Sequence, residues 1–138
     1  MVGPRVRRTS VQSLDTNVLL RWLLADVPDQ AARVDALLDA GERCTIDDTA
    51  LIETVFVLER VMLLSRSAVA DAIRTVLSTA AYDVERSRWS AVMDAYLERP
   101  RLSVTDLYLA ERARESGATP LYTFDKKLAS QQNGVELL

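Results

Sequence analysis

The chain has 138 residues, which suits one compact domain that is large enough to bury most of its apolar surface. Hydrophobic residues make up 49% and charged residues 27%, a composition that is typical of folded globular domains and excludes a disordered tail. No stretch approaches the roughly 18 apolar residues of a membrane helix. No apolar run follows the basic start at Met1–Arg8, so we expect a cytoplasmic protein without a secretion signal.

The sequence contains no histidine and a single cysteine, Cys44. This excludes Ser-His-Asp triads, Cys-His pairs, histidine-rich zinc sites and an internal disulfide bond. Any catalysis must therefore use carboxylates, hydroxyls, amides, Arg, Lys or a hard cation. The formal net charge of −3 neither indicates nor excludes a nucleic-acid partner.

In chain order, short apolar runs alternate with helical patterns. Residues 1–9 read as a flexible basic arm, from an upstream start or a cloning remnant, and one domain follows over residues 10–138. Strands are predicted at 11–14, 44–46, 82–84, 121–124 and 135–138, the fourth of them buried. Helices are predicted from Leu19 to about Asp26, then at 29–40, 48–64, 67–77, 88–98, 104–115 and 125–131. This alternation predicts a single α/β domain, a parallel sheet flanked by helices on both faces.

Glu53 stands out because it is the only charge between Ala50 and Leu58, in a helix that is apolar nearly all round. Such helices are mostly buried, and a lone buried carboxylate is costly unless it is paired or bound to a metal. The alternative is that Glu53 reaches solvent at a gap or meets an arginine.

Asp15 and Asp125 each follow a predicted strand and precede a predicted helix. In a parallel sheet this places both carboxylates at the carboxyl edge, where ligand crevices form. Helix capping would explain either residue alone. Asp106 has a similar ambiguity, because the run from Ser103 to Asp106 is typical of a capping box.

Taken together, the four acids indicate a cluster, because carboxylates brought close favour protonation or a divalent cation. Oxygen-only ligation selects Mg²⁺ or Mn²⁺ over zinc. Such an ion can polarise a phosphodiester and activate water, so the implied chemistry is hydrolysis of a phosphate ester.

Two motifs, Leu14–Arg21 (LDTNVLLR) and Tyr122–Leu128 (YTFDKKL), with Glu53 and Asp106 between them, resemble the PIN domain. More narrowly, they are similar to the VapC-type ribonuclease toxins of toxin–antitoxin pairs. The resemblance covers about residues 13–138.

This resemblance implies a parallel sheet with acids gathered at one edge around Mg²⁺ or Mn²⁺. It implies endonucleolytic cleavage of RNA, often tRNA or rRNA, a cognate VapB-type antitoxin and a homodimer. The catalytic and metal-binding positions that match the family are Asp15, Glu53, Asp106 and Asp125, and the supporting polar positions are Asn17 and Thr123.

Lys126 and Lys127 adjoin Asp125 and are the residues we expect to meet a substrate phosphate. Two alternative functions remain open. The first is a catalytically silent module of the same fold that binds RNA or protein. The second is a phosphoacceptor domain of receiver type, which usually carries an acidic pair after the first strand, where this chain has Thr16 and Asn17 after Asp15.

Overall fold

The computed structural model describes residues 11–138, so the predicted basic arm over residues 1–9 lies outside the described part of the chain. The described strands are β1 (Val11–Leu14), β2 (Arg43–Ile46), β3 (Tyr82–Asp83), β4 (Leu121–Thr123) and β5 (Val135–Leu137). The described helices are α1 (Thr16–Leu24), α2 (Pro28–Asp39), α3 (Asp48–Arg60), α4 (Arg66–Ser78), α5 (Arg86–Glu98), α6 (Val104–Ser116) and α7 (Lys126–Gln131). Every described strand pairing is parallel, which confirms the predicted α/β class.

The chain divides into two compact units, and unit one consists of the chain up to Thr54 together with Thr79–Val84. Its parallel sheet has the order β1-β2-β3, with Leu14 paired to Ile46 at the carboxyl end. Both of these side chains are buried, and α1 packs against α2. Because β1 and β2 are neighbours that run in the same direction, the residues that follow them, Asp15 and Asp47, lie at the same sheet edge.

Unit two consists of Val55–Ser78 and Glu85–Leu138. In it α4 packs on α5 and α5 on α6, while β4 and β5 form a parallel pair that α7 contacts. The core of this unit includes the fully buried rings of Trp89 and Tyr96, and Trp89 stacks on Tyr108 with 5.7 Å between ring centroids. The helical patterns in the sequence therefore correspond to real buried faces.

Helix α3 ends at Arg60, so the predicted extension to Leu64 is wrong. The amides of Val61 and Met62 both donate to the carbonyl oxygen of Val57, which closes the helix. Leu63 then takes a left-handed conformation with φ 55°, and the Leu64 amide donates back to the Leu58 carbonyl. This pattern ends helices even where apolar residues continue.

The prediction of a buried strand over residues 121–124 is also wrong in its burial. Strand β4 spans only Leu121–Thr123, and the Tyr122 and Phe124 side chains are 56% and 79% exposed. Among the described residues β4 pairs only with β5. A strand is buried on both faces only when elements cover both, and the face that carries Tyr122 is open.

Across residues 11–138, none of the helices combines the length and the apolar character that crossing a membrane requires.

Candidate active site

Asp15 links strand β1 to helix α1. Its backbone is extended (φ −83°, ψ 172°), and its Oδ1 atom accepts a hydrogen bond from the Val18 amide at 2.9 Å. Asp15 therefore caps helix α1, which is the structural role that the sequence left open. It also lies at the carboxyl edge of the sheet, where a ligand-binding acid is expected. The side chain is exposed, and one oxygen is enough for the cap.

Glu53 lies on α3 and is exposed, which corrects the expectation of a buried carboxylate. The buried positions of α3 include Ala50, Leu51 and Thr54, whereas Thr49 and Glu53, one turn apart, share an exposed stripe. The apolar composition around Glu53 hid this stripe in the sequence. The hydroxyl of Thr16 donates a hydrogen bond to Glu53 Oε2 at 2.7 Å.

That hydrogen bond brings two of the candidate acids to neighbouring positions in unit one. Asp15 and Thr16 are consecutive, so the Glu53 carboxylate is tied to the residue next to Asp15. Sequence reasoning missed Thr16, although a hydroxyl directly after the candidate acid, in the first turn of a helix, was a usable signal. Oε1 of Glu53 accepts no hydrogen bond from residues 11–138, and it is available to a ligand.

Asp106 lies in the first turn of α6 and is half-buried. The helix is capped by Ser103, whose Oγ accepts from the Asp106 amide at 3.2 Å. Within the described part of the chain, no group donates a hydrogen bond to the Asp106 carboxylate. The reciprocal half of a capping box is therefore absent there, and capping does not occupy this side chain.

Asp125 follows β4 and caps α7, with Oδ1 accepting from the amides of Lys127 and Leu128 at 2.8 and 3.2 Å. Thr123 Oγ1 in turn accepts from the Asp125 amide at 3.0 Å. This hydrogen bond joins Thr123 to the backbone that presents Asp125. Asp106 and Asp125 both belong to unit two, where α6 contacts β4.

The remaining predicted residues are exposed. Asn17 lines a cavity of about 370 Å³ between α1 and α2, with Arg21 and Val34 also in its wall. Lys126 and Lys127 extend from the start of α7, and neither forms an ion pair with a carboxylate of residues 11–138. Both lysines are thus available to an anionic ligand.

Several arginines at the surface are paired with neighbouring acids. Arg88 and Arg112 both bind Glu115, and Arg114 binds Glu111. The hydrogen bonds from Arg88 lower the pKa of Glu115, which is what a stable ion pair does to a carboxyl. This surface therefore carries mixed charge.

Cys44 is fully buried in β2, and burial, together with Glu42, raises the pKa of its thiol. A raised pKa leaves little thiolate near neutral pH. The cysteine is therefore a small residue of the core.

The donor atoms at these positions suit a hard cation. The candidate ligands are carboxylate oxygens, and the chain has no histidine. Among residues 11–138, no group of three or more acidic or cysteine side chains is placed to hold a metal ion together. Mg²⁺ commonly takes only one or two protein carboxylates and keeps several waters, so the kind of donor atom at Asp15 and Glu53 suits this ion.

The chain matches the family described as the PIN domain over residues 13–133. The matched range contains all four candidate acids as well as Asn17 and Thr123. Among curated proteins, no match to the sequence was found.

Proposed function

This chain belongs to the PIN domain family, and we propose on that premise that it is a metal-dependent endoribonuclease that hydrolyses RNA phosphodiester bonds. PIN domains are generally metal-dependent nucleases. The observation that carries the proposal is the placement of Asp15 and Glu53, tied together through Thr16 within the matched range. The family match also favours a nuclease over a receiver-type phosphoacceptor.

In the proposed mechanism, Asp15 and Glu53 would hold a Mg²⁺ or Mn²⁺ ion, and Asp106 and Asp125 are the other two catalytic and metal-binding acids that the resemblance to the family implies. The ion, when bound, supplies charge stabilisation at the phosphate and lowers the pKa of water. The hydroxyl of Thr16 holds the Glu53 carboxylate, and the Thr123 hydroxyl oxygen accepts a hydrogen bond from the backbone amide of Asp125. Lys126 and Lys127 attract the RNA phosphates, which carry most of the affinity in such complexes.

We further propose that the enzyme is the toxin of a toxin–antitoxin pair and acts in the cytoplasm as a homodimer. Its substrate would be tRNA or rRNA, and a VapB-type antitoxin would hold it inactive. The support for this step is the similarity of the LDTNVLLR and YTFDKKL motifs to VapC-type toxins.

The deciding experiment is end-mapped cleavage of total cellular RNA by the purified full chain in Mn²⁺. We expect discrete cuts that disappear with EDTA and in Asp15→Asn. Asn caps helices as well as Asp does, so this variant removes the charge and keeps the cap of α1. The matched control is Asp39→Asn, an exposed acid at the end of α2 that should cleave like the wild type.

Equal cleavage by Asp15→Asn and the wild type at matched purity would overturn the proposed mechanism. RNA that is bound but left intact in Mn²⁺, across many RNA species, would favour the alternative, a catalytically silent PIN-like module that binds RNA or protein.

A further inference from the structure

An open aromatic face lies at the carboxyl end of β4. Tyr122 lies in the strand, and Phe124 directly follows its last residue, Thr123. Their side chains are 56% and 79% exposed. A phenylalanine this exposed buries little of its own apolar surface. Phe124 is therefore a candidate contact for a ligand, provided that its neighbours select one.

The neighbours of Phe124 are the charged residues of the candidate site. Asp125 follows it directly, and Lys126 and Lys127 come next, both exposed and neither paired with an acid of the described chain. One short segment thus presents aromatic rings, a candidate catalytic carboxylate and two ammonium groups. The cations require an anionic partner and the rings require a flat apolar one. Single-stranded nucleic acid meets both requirements, because its bases stack on aromatic side chains while its phosphates bind lysines.

We propose that Phe124 is a stacking platform for a nucleobase of single-stranded RNA, with Lys126 and Lys127 binding the adjoining phosphates. This inference rests on the proposed endoribonuclease function and adds to it one residue that contacts a base. Every base has a π-face, so the platform accepts any base at this position. Duplex RNA keeps its bases stacked inside the helix and offers Phe124 nothing to stack on.

The test measures binding of a fluorescein-labelled 12-nucleotide single-stranded RNA of mixed sequence by anisotropy, in EDTA, using the purified full chain. The same sequence as a duplex is measured in parallel. We expect Phe124→Ala to weaken single-strand binding about tenfold, in line with the usual loss of a base–aromatic contact. Its effect on duplex binding should stay within about twofold.

Two further variants test whether RNA binding requires an aromatic ring at position 124 or only an apolar side chain. Phe124→Trp keeps a ring and should bind like the wild type or more tightly, whereas Phe124→Leu keeps apolar bulk and should bind like Phe124→Ala. The control is Leu63→Ala, a side chain 81% exposed in the connection between α3 and α4, which should bind like the wild type.

The possible outcomes distinguish the stacking inference from the proposed endoribonuclease activity on which it rests. In the first outcome, the wild type cleaves RNA in Mn²⁺, and Phe124→Ala and Phe124→Leu bind single-stranded RNA as tightly as the wild type does. The stacking inference is then wrong, and the proposed endoribonuclease activity stands. If Phe124→Ala loses binding while no preparation cleaves, the binding surface stands and the proposed activity falls. If Phe124→Ala sediments as a monomer where the wild type sediments as a dimer, and its RNA binding is unchanged, the aromatic face contacts a second copy of the chain. That result would overturn the inference.

Discussion

A single hydroxyl determines where the Glu53 carboxylate is held. Thr16 and Glu53 are 37 positions apart in sequence, and their 2.7 Å hydrogen bond ties α3 to the residue beside Asp15. Removing a group that orients a metal ligand typically weakens metal binding by roughly 10–100-fold. A substitution at Thr16 should therefore weaken metal binding at the proposed site while every acidic residue stays in place.

We expect Thr16→Val, which keeps the shape of the side chain and removes its hydroxyl, to weaken Mn²⁺ binding about tenfold. Thr16→Ser keeps the hydroxyl and should bind like the wild type. The measurement is calorimetric titration with Mn²⁺ alone. Thr49→Val is the matched control, because Thr49 is exposed one turn before Glu53 on α3. Wild-type affinity in Thr16→Val would show that the hydrogen bond does not position a ligand.

The candidate site was predictable where local sequence determines it. Asp15 and Asp125 were found because a strand end followed by a helix start places an acid at a sheet edge, and both positions are as expected. The exposure of Glu53 was not predictable, because its apolar neighbours do not reveal which stripe of α3 stays open. Its partner Thr16 is remote in sequence, so that pairing required the folded chain.

At the level of elements, Arg66 joins α4 to the turn between α5 and α6. Its guanidinium donates to the carbonyl oxygens of Tyr96, Arg99 and Leu102, three groups at and beyond the end of α5. It also lies 3.6 Å from the centroid of the Tyr96 ring and 3.9 Å from Glu59. The turn that it holds leads into Ser103, the cap of the helix that carries Asp106.

We expect Arg66→Met to lower the free energy of unfolding by about 2–4 kcal/mol, because it leaves several partly buried carbonyl oxygens without their charged donor. Arg66→Lys should lose an intermediate amount, since one ammonium cannot span three carbonyls. Urea unfolding followed by circular dichroism measures both. Arg74→Met removes an exposed pair with Asp94 from the same helix and should cost less than 1 kcal/mol, roughly the value of a surface ion pair. Equal losses for Arg66→Met and Arg74→Met would contradict this role.

The predicted end of α3 and the predicted burial of β4 are wrong for the same physical reason. Periodicity identified α3 and β4, because apolar spacing is a local property. It did not show that Val57 accepts two amides and ends α3 at Arg60, or that Tyr122 and Phe124 face outward. Both depend on partners that the spacing of apolar residues does not specify, which also explains why the open aromatic face was missed.

At the scale of the whole molecule, a bound cation stabilises the fold by an amount that grows with the logarithm of its concentration divided by its dissociation constant. A ligand that binds only the folded chain, at 100 times its dissociation constant, adds about 2.7 kcal/mol to the free energy of unfolding. For a chain of this length that corresponds to a rise in Tm of roughly 10 °C. This measurement depends on metal binding alone and requires no RNA substrate.

We therefore expect Mn²⁺ at saturating concentration to raise the Tm of the wild type and of Asp39→Asn by a similar amount. Asp15→Asn and Glu53→Gln should each lose most of that rise, because each removes one negative ligand while keeping its size. Differential scanning calorimetry in EDTA and in Mn²⁺ measures the shift for all four proteins. A similar rise in all four would mean that the cation binds away from Asp15 and Glu53. A rise confined to proteins that keep both acids would identify the pair as its ligands, because the neutral variants differ from the wild type in one charge.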